Sequence, residues 1–247
     1  GHGAMGRVYL ALDPDRELRA VKQILPRVVM SRENLARFRR EATVQSSLVH
    51  PNIVRVFELI SDENVLSLVM EYVDGHGADA WLRERGPLAA PDAIELGCQV
   101  LDALIYAHDR NIVHRDIKES NLLVEERAGG FTVKVADFGL AKNFVESGAS
   151  GITRDGAMGG TLPYMPREQL VDFRHVKPSA DLHALGATLY RLLTNHFPRD
   201  FPEGENWVRI ALERPVVPIA QRPGGAAIPA TLRSVVERAL APEVARR

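Results

Sequence analysis

Four polar residues stand close together in the middle of the chain, at intervals that suit one kind of chemistry. Asp116, Lys118 and Asn121 follow one another closely, and Asp137 comes 16 residues later at the start of an Asp-Phe-Gly triplet. Phosphoryl transfer needs a carboxylate that takes up the proton of an attacking hydroxyl, a cation and oxygen ligands for magnesium. We therefore expect Asp116 to act as the base and Lys118 as the cation. Asn121 and Asp137 are the expected magnesium ligands.

The first residues of the chain match the glycine-rich pattern Gly-x-Gly-x-x-Gly-x-Val. Gly1, Gly3 and Gly6 lack side chains, so backbone amides can approach phosphate oxygens. Such patterns are common in turns, but here Lys22 follows on a predicted strand, where a lysine within an apolar run needs a counter-charge. Glu41, on a predicted helix, is the expected partner, and a Lys-Glu pair that reaches the α and β phosphates fits the same chemistry. The alternative for Glu41 is a solvated helix face.

Apolar periodicity predicts a small β-rich unit followed by a mainly helical one. In the first unit, antiparallel strands and a helix of about four turns beginning near Ser31 are predicted. The strands are expected over 8–11, 19–24, 53–59 and 65–72. Residues 74–77 break this pattern and predict a linker. The expected parts are therefore an N-terminal lobe over 1–73, a hinge over 74–77 and a C-terminal lobe over 78–247.

In the second unit the longer apolar repeats have helical spacing. Helices are expected over 91–109, 179–194 and 231–240, a hairpin over 122–136, and irregular structure over 198–229. Cys98 shares a spacing of three and four with apolar neighbours in the first of these helices. We therefore expect its thiol to be a buried core group rather than a reactive one.

Composition narrows the classes of partner. The net charge of −1 offers no general attraction to nucleic acid, so no nucleic-acid partner is expected. The single cysteine excludes an internal disulfide and suits a reducing cytoplasm. The sequence contains no long apolar run and no signal peptide, so we expect no membrane span in this segment. A start at Gly1 and an end at Arg247 are typical of a piece of a longer protein, which leaves room for membrane tethering of the full-length chain.

Further motifs accompany these residues in a fixed order. They are His-Pro-Asn-Ile-Val at 50–54, Met-Glu-Tyr-Val at 70–73, His-Arg-Asp at 114–116, Gly-Thr at 160–161, Glu168, Asp181 and the arginines Arg246 and Arg247. The chain resembles a protein kinase catalytic domain, most of all the bacterial serine/threonine kinases of eukaryotic (Hanks) type, over essentially all of its 247 residues. The resemblance implies an α+β, two-lobed fold with a small antiparallel β-rich N-lobe carrying one main helix and a larger, mainly helical C-lobe.

The same resemblance implies an ATP-binding site between the lobes. Met70 would be the gatekeeper behind the adenine, and the Glu71 carbonyl and Val73 amide would bond its edge. The residues that would sandwich the ring are Val8, Ala20 and Leu123. The implied cofactors are ATP and Mg²⁺, for which Mn²⁺ can substitute.

On the acceptor side, Lys118 together with Thr161 resembles the serine/threonine branch of the family. The implied partners are protein substrates with Ser or Thr acceptors, including the chain itself, and a homodimer for autophosphorylation is compatible with this. In the segment 140–160, a phosphate could pair with Arg115 and order the loop. The candidate phosphosites are Ser147, Ser150 and Thr153.

Some residues have implied supporting roles, and others depart from the family pattern. Asp181 would brace the catalytic loop, and Arg247, or Arg246, would pair with Glu168. Pro-Arg-Glu stands at 166–168 instead of Ala-Pro-Glu, which bears on the substrate-docking loop. Two further departures are Glu119, where proline is common, and Gln45, at a position usually apolar. A buried Gln45 would need hydrogen-bond partners.

Two other functions fit parts of the same pattern. A pseudokinase, which would bind nucleotide or act as a scaffold with little transfer activity, conflicts with the intact set Lys22, Asp116, Asn121 and Asp137. A small-molecule phosphotransferase of related fold conflicts with Arg115, Lys118 and the segment 160–168. The sequence therefore favours an ATP-dependent protein kinase acting on Ser and Thr.

Overall fold

The computed structural model describes residues 2–3, 6–24, 32–62, 65–138, 161–173 and 175–247. These residues form a five-stranded antiparallel sheet with one long helix, followed by a mainly helical part that contains a three-stranded sheet. This is the two-lobed α+β architecture that the sequence predicts. The described part of the chain contains no helix long and apolar enough to cross a membrane.

The N-terminal sheet has the strand order β1-β2-β3-β5-β4, with each neighbouring pair antiparallel. The strands are β1 His2–Gly3, β2 Gly6–Leu12, β3 Leu18–Ile24, β4 Val56–Asp62 and β5 Val65–Glu71. Val8 lies opposite Lys22, and Ala20 lies opposite Met70. Directly opposed residues share a face, and so do residues two apart in one strand. The register therefore brings all four residues to one face of the sheet.

Helix α1, Arg32–Ser46, packs against strand β4 and against the sheet face that carries Lys22, and it closes the small core of this lobe. Phe38 and Ala42 are buried four residues apart, so they lie on one face of the helix. They pack with Leu66 and Leu68 of strand β5 in one apolar cluster. This packing holds the helix that carries Glu41 against the sheet that carries Lys22.

The C-terminal part is built around helix α5, Ser179–Thr194, which is buried along most of its length. Its further elements are β6 His76–Gly77, α2 Ala78–Arg85, α3 Ala90–His108, β7 Leu122–Arg127, β8 Gly130–Val135, α4 Arg167–Val171, α5 Ser179–Thr194, α6 Trp207–Glu213 and α7 Ala230–Ala239. Helix α5 contacts α3 and α7, and the hairpin β7–β8 packs on α3. Tyr190 and Leu192 on α5 are fully buried, so this helix fixes the floor beneath the residues around Asp116.

Helix α6 lies in the region that the sequence predicts to be irregular, and that prediction is wrong. Asn206 caps the helix, because its side-chain oxygen accepts a hydrogen bond from the Arg209 amide at 3.0 Å. Ile210 and Ala211 are buried. The seven-residue helix is too short for its periodicity to stand out among the surrounding prolines and glycines.

The predicted burial of Cys98 is also wrong, since Cys98 is exposed. The buried face of α3 is formed by Ala93, Leu96, Gly97, Val100, Ala103, Leu104 and Ala107. Apolar residues occupy both faces of this helix, so periodicity alone could not select the inner one. The small residues determine which face of α3 packs inward. A β-carbon at Gly97 would lie 3.3 Å from Leu189 of α5, so only a small residue fits where the two helices meet.

The division of the chain at residues 74–77 stays a prediction. His76 and Gly77 form a two-residue strand that pairs with Leu123 and Val124. Gly75 lies close behind it, because a β-carbon there would come within 2.2 Å of the Val124 carbonyl oxygen. A larger residue at this position would push the two segments apart.

Candidate active site

The backbone around Asp116 is held from below by Asp181 of helix α5. The Asp181 side chain is fully buried, and its two oxygens accept hydrogen bonds from the amides of His114 and Arg115, each at 2.8 Å. Nε2 of His108 lies 2.8 Å from the same carboxylate. Arg115 has a φ of 70°, in the left-handed region that only a well-braced non-glycine residue adopts. Asp181 therefore fixes the backbone conformation of the two residues that precede Asp116.

One buried imidazole links the two segments that carry the acidic residues. Nδ1 of His114 accepts a hydrogen bond from the Asp116 amide at 3.2 Å, so Nε2 carries the proton and donates to the Ala136 carbonyl at 2.8 Å. The His114 ring also meets the Phe138 ring edge-on, with centroids 4.5 Å apart. Asp116 and Asp137 are thus positioned from the same side chain.

The Asp116 carboxylate is almost buried and is surrounded by donors. Lys118 Nζ contacts both of its oxygens, at 3.0 and 2.9 Å, and Nδ2 of Asn121 donates to Oδ2 at 3.1 Å and to the Asp116 carbonyl at 2.7 Å. Lys118 Nζ also donates to the Thr161 hydroxyl at 3.0 Å. The lysine therefore connects the expected base to the segment that begins at Thr161. Bonds to ionised groups are among the stronger ones in proteins, so this cluster is well ordered.

Asn121 and Asp137 each present an oxygen that no described residue uses. The Asn121 nitrogen is committed to Asp116, which leaves Oδ1 as an acceptor. In Asp137, Oδ2 is paired with Lys22, and Oδ1 bonds to no described group. Carboxylate and amide oxygens suit Mg²⁺, which is often held by one or two carboxylates together with substrate phosphates. The two residues fit such an ion, whereas the described residues contain no group of three or more His, Cys, Asp or Glu that could hold a metal without phosphate.

Lys22 and Asp137 form an ion pair, with Nζ and Oδ2 2.6 Å apart. Burial alone would raise the pKa of Asp137, but the Lys22 ammonium outweighs it and the pKa lies below its usual value. The sequence predicted Glu41 as the partner of Lys22. Glu41 lies on α1, half-buried, and its pairing with Lys22 stays a prediction.

The expected adenine pocket is apolar and lies beside this pair. Ala20, Val73 and Leu123 are partly buried against the cluster that contains Met70. Among the described residues, nothing accepts a hydrogen bond from the Val73 amide. The Glu71 side chain is turned to Lys134, at 2.9 Å, and the Glu71 amide donates to the Arg55 carbonyl at 2.8 Å, so neither group is available to a ligand.

The glycine-rich segment is described in part. Gly1 lies outside the described residues, whereas Gly3 pairs with Gly6 where strands β1 and β2 meet. A β-carbon at Gly6 would come within 2.0 Å of the Gln23 carbonyl oxygen. Glycine is therefore required there for the close approach of two strands.

On the acceptor side, the segment after Thr161 is tied to the catalytic loop by contacts that the sequence did not predict. Tyr164 donates its hydroxyl proton to Glu119 at 2.6 Å, and Gln169 Nε2 donates to the Arg115 carbonyl at 2.8 Å. Burial raises the pKa of Glu119. The only signal in the sequence was a glutamate at 119, where the family usually has proline.

Arg247 forms a two-pronged ion pair with Glu168, in which NH2 lies 3.1 Å from Oε2. Arg246 instead pairs with Glu243. The Pro-Arg-Glu departure at 166–168 therefore leaves the glutamate in contact with its arginine. The candidate phosphosites Ser147, Ser150 and Thr153, with Gly160, lie outside the described residues.

Gln45 is buried, and its Nε2 has no hydrogen-bond partner among the described residues. It lines a narrow space with Met70, Asp137 and Phe138. The expectation that a buried Gln45 would find partners is therefore not met for this nitrogen. An unsatisfied amide in this position costs free energy, about 1–3 kcal/mol.

Comparison with known proteins places this geometry in a family. The protein kinase domain family matches residues 1–247. The chain belongs to the protein kinase domain family. It is 36% identical over 245 residues to the serine/threonine-protein kinase PrkC of Bacillus subtilis, covering 98% of the chain and 36% of PrkC. It is 38% identical over 244 residues to Pkn1 of Myxococcus xanthus, covering 98% of the chain and 34% of Pkn1.

Solved kinase structures share the fold. The Mycobacterium tuberculosis PknI kinase domain superposes with a TM-score of 0.71 at 28% identity, covering 100% of this chain and 86% of that one. Rad53 in complex with AMP-PNP superposes with a TM-score of 0.78 at 25% identity, covering 100% and 60%. The predicted kinase fold and the resemblance to bacterial serine/threonine kinases are thus confirmed. The kinase domain described here spans about a third of the length of PrkC and of Pkn1.

Proposed function

We propose that this kinase domain transfers the γ-phosphate of ATP to Ser and Thr hydroxyls of proteins. The observation that carries the proposal is the cluster in which Lys118 Nζ bridges the Asp116 carboxylate and the Thr161 hydroxyl. The cluster brings a base, a cation and the start of the predicted acceptor-docking segment within hydrogen-bond distance of one another. Family membership and the serine/threonine kinase relatives support it.

Asp116 is proposed to orient the acceptor hydroxyl and to take up its proton. Both of its oxygens already contact cationic or amide donors, which limit the rotation of the carboxylate. Lys118 would then stabilise negative charge on the transferring group, since its ammonium lies next to the base. Asp181 supports both by holding the preceding amides, and it does not contact the substrate.

Lys22 is proposed to bind the α and β phosphates, with Glu41 orienting it, while the amides of the glycine-rich segment approach the same phosphates. A divalent ion held by Asn121 and Asp137 would offset the charge of the phosphate groups. Use of ATP with a divalent metal is expected of the family. We propose Mg²⁺ as the physiological ion and Mn²⁺ as a substitute, because both accept hard oxygen ligands.

The adenine ring is proposed to lie between Ala20 and Val8 on one side and Leu123 on the other. The Val73 amide, which bonds to no described residue, supports a hydrogen bond to the ring edge, with the Glu71 carbonyl as its neighbour. Met70 is buried at the back of this pocket and would limit its depth. A largely apolar pocket with few polar groups is the usual form of a small-molecule site.

Regulation through the segment 140–160 remains a proposal from the sequence. A phosphate on Ser147, Ser150 or Thr153 would pair with Arg115 and order the segment. The proposed partners are protein substrates, the chain itself among them through a homodimer, and no nucleic acid. The proposed location is the cytoplasm.

A pseudokinase and a small-molecule phosphotransferase remain the alternatives to test. Incubation of the protein with ATP and Mg²⁺, followed by intact-mass and peptide mass spectrometry, separates all three. We expect phosphate on Ser or Thr of the protein itself and of an added protein substrate. Nucleotide binding without any phosphosite would indicate a pseudokinase. Consumption of ATP only in the presence of a small hydroxyl compound would indicate the other class.

A further inference from the structure

A second cavity, of about 480 Å³, lies in the C-terminal lobe and is lined in part by Met165. Its size falls within the range of ligand sites, roughly 300–1,000 Å³. Residues of helices α6 and α7 also line it. Four of its lining residues are arginines, namely Arg167, Arg199, Arg214 and Arg247, and two are acidic, namely Glu213 and Glu237.

Arg199 is the exceptional member of this group because it is 9% exposed and has no carboxylate partner among the described residues. Its Nε donates to the Arg214 carbonyl at 2.7 Å. A guanidinium carries five N–H donors, and the other four bond to no described residue. Burial lowers the pKa of Arg199. A buried cation of this kind is unfavourable unless an anion compensates it.

Apart from the exposed Arg167, the other charged groups of the cavity are already engaged. Arg247 is paired with Glu168, and Arg214 is paired with Glu205. Oε1 of Glu237 accepts a hydrogen bond from the Ile219 amide at 2.7 Å. His183, buried in the same wall, is neutral, because burial and the nearby Arg247 and Arg199 lower its pKa to about 3. The uncompensated charge in the wall is therefore positive.

We propose that this cavity binds the phosphate group of a phosphorylated protein side chain, with Arg199 as its central ligand. A guanidinium matches phosphate in geometry and can donate two parallel hydrogen bonds to it. Met165, Val216 and Leu240 line the cavity as well, and they provide apolar contacts for the peptide that carries the phosphate. Free inorganic phosphate offers the same chemistry without those contacts.

The Nε contact of Arg199 has a purely structural explanation, since the Arg214 carbonyl follows the last turn of α6 and a cation is favourable there. The two explanations differ in their consequences for stability. If Arg199 only caps the helix, its replacement by an apolar residue lowers the melting temperature. If it holds an uncompensated charge for a ligand, Arg199→Met leaves the melting temperature unchanged or higher, because the buried charge is removed.

The test measures binding calorimetrically with the nucleotide site saturated by ADP and Mg²⁺. The probes are inorganic phosphate, the blocked tripeptide Ala-phosphoserine-Ala and the same tripeptide without phosphate. We expect saturable binding of the phosphorylated tripeptide, about tenfold tighter than that of inorganic phosphate, and none of the unmodified one. Arg199→Met should weaken phosphopeptide binding at least about tenfold. Arg83→Met, at an exposed arginine on α2 that lies outside the cavity, is the matched control and should bind as the unmodified protein does.

Equal binding by the unmodified protein and Arg199→Met would overturn the proposal, as would the absence of saturable phosphopeptide binding. Equal affinity for phosphate and phosphopeptide would overturn the assignment to a protein-bound phosphate. Should Arg199→Met not fold, Arg199→Lys keeps a cation but loses the planar fork, and a several-fold loss of affinity is expected. None of these measurements requires phosphoryl transfer, so failure here leaves the kinase proposal intact.

Discussion

Lys22 Nζ and Asp137 Oδ2 lie 2.6 Å apart, although the two residues are 115 positions apart in the chain. Lys22 belongs to strand β3 of the N-terminal sheet, and Asp137 follows strand β8 of the C-terminal part. Each residue neutralises the other at a site where both side chains are largely shielded from water. The pair therefore joins the two lobes through the groups proposed to bind phosphate and metal.

Asp137→Asn is expected to lower phosphoryl transfer by at least about a hundredfold. It removes a proposed metal ligand and leaves the Lys22 ammonium without its counter-charge, so the melting temperature should also fall. A transfer assay, together with thermal melting with and without ATP and Mg²⁺, measures both effects. Asp200→Asn changes an exposed carboxylate that pairs with Arg222, and this control variant should retain activity. Substantial turnover by a folded Asp137→Asn variant would refute the proposed metal site.

Asp116→Asn is expected to reduce kcat by about a hundred- to ten-thousandfold while the Kd for ATP changes little. The carboxylate acts on the acceptor hydroxyl, and its partners among the described residues are Lys118 and Asn121 rather than Lys22 or any residue proposed to line the adenine pocket. Steady-state kinetics and calorimetric titration with ATP provide the two values. A parallel collapse of ATP affinity would show that Asp116 is a metal-binding or structural residue instead.

Tyr164→Phe is expected to destabilise the protein by about 2 kcal/mol. The change removes the hydroxyl that donates to Glu119, whose other oxygen has no partner among the described residues. Urea denaturation of Tyr164→Phe, Glu119→Gln and the double variant isolates the interaction. If the two single losses simply add, the contact contributes no coupling and does not hold the acceptor segment to the catalytic loop.

His183 should make stability fall as the pH is lowered. The pKa of His183 is about 3 in the folded protein, whereas an unperturbed histidine, as in the unfolded chain, has a pKa of 6.5. Below pH 6.5 the unfolded chain therefore binds a proton that the folded chain does not. Between pH 7.5 and 5.5 this difference costs about 1.4 kcal/mol of unfolding free energy. His183→Gln keeps a donor for the Tyr164 carbonyl but does not titrate. Its stability should decline by that much less over the same range in urea denaturation, and identical pH profiles would contradict the assignment.

Element type was predictable where the periodicity was long and unbroken. Helix α5 spans the predicted residues 179–194, and the predicted helix over 91–109 is displaced by one residue at each end. Helix α6 and the inner face of α3 were not predictable. A seven-residue helix carries little periodic signal, and on α3 both Cys98 and Leu96 fit an apolar repeat. The choice between them depends on which face meets α5, a contact between distant parts of the chain.

The sequence by itself determined the family and the chemical groups of the candidate site, because phosphoryl transfer requires particular residue types at short intervals, as in Asp116, Lys118 and Asn121. The tertiary structure decided which distant groups meet. It paired Lys22 with Asp137 and Tyr164 with Glu119. It also left Arg199 buried beside a cavity, with no counter-charge among the described residues. Such contacts join residues that are far apart in the chain. Local sequence patterns extend over a few turns or strands and carry no information about which charges the folded lobes bring together.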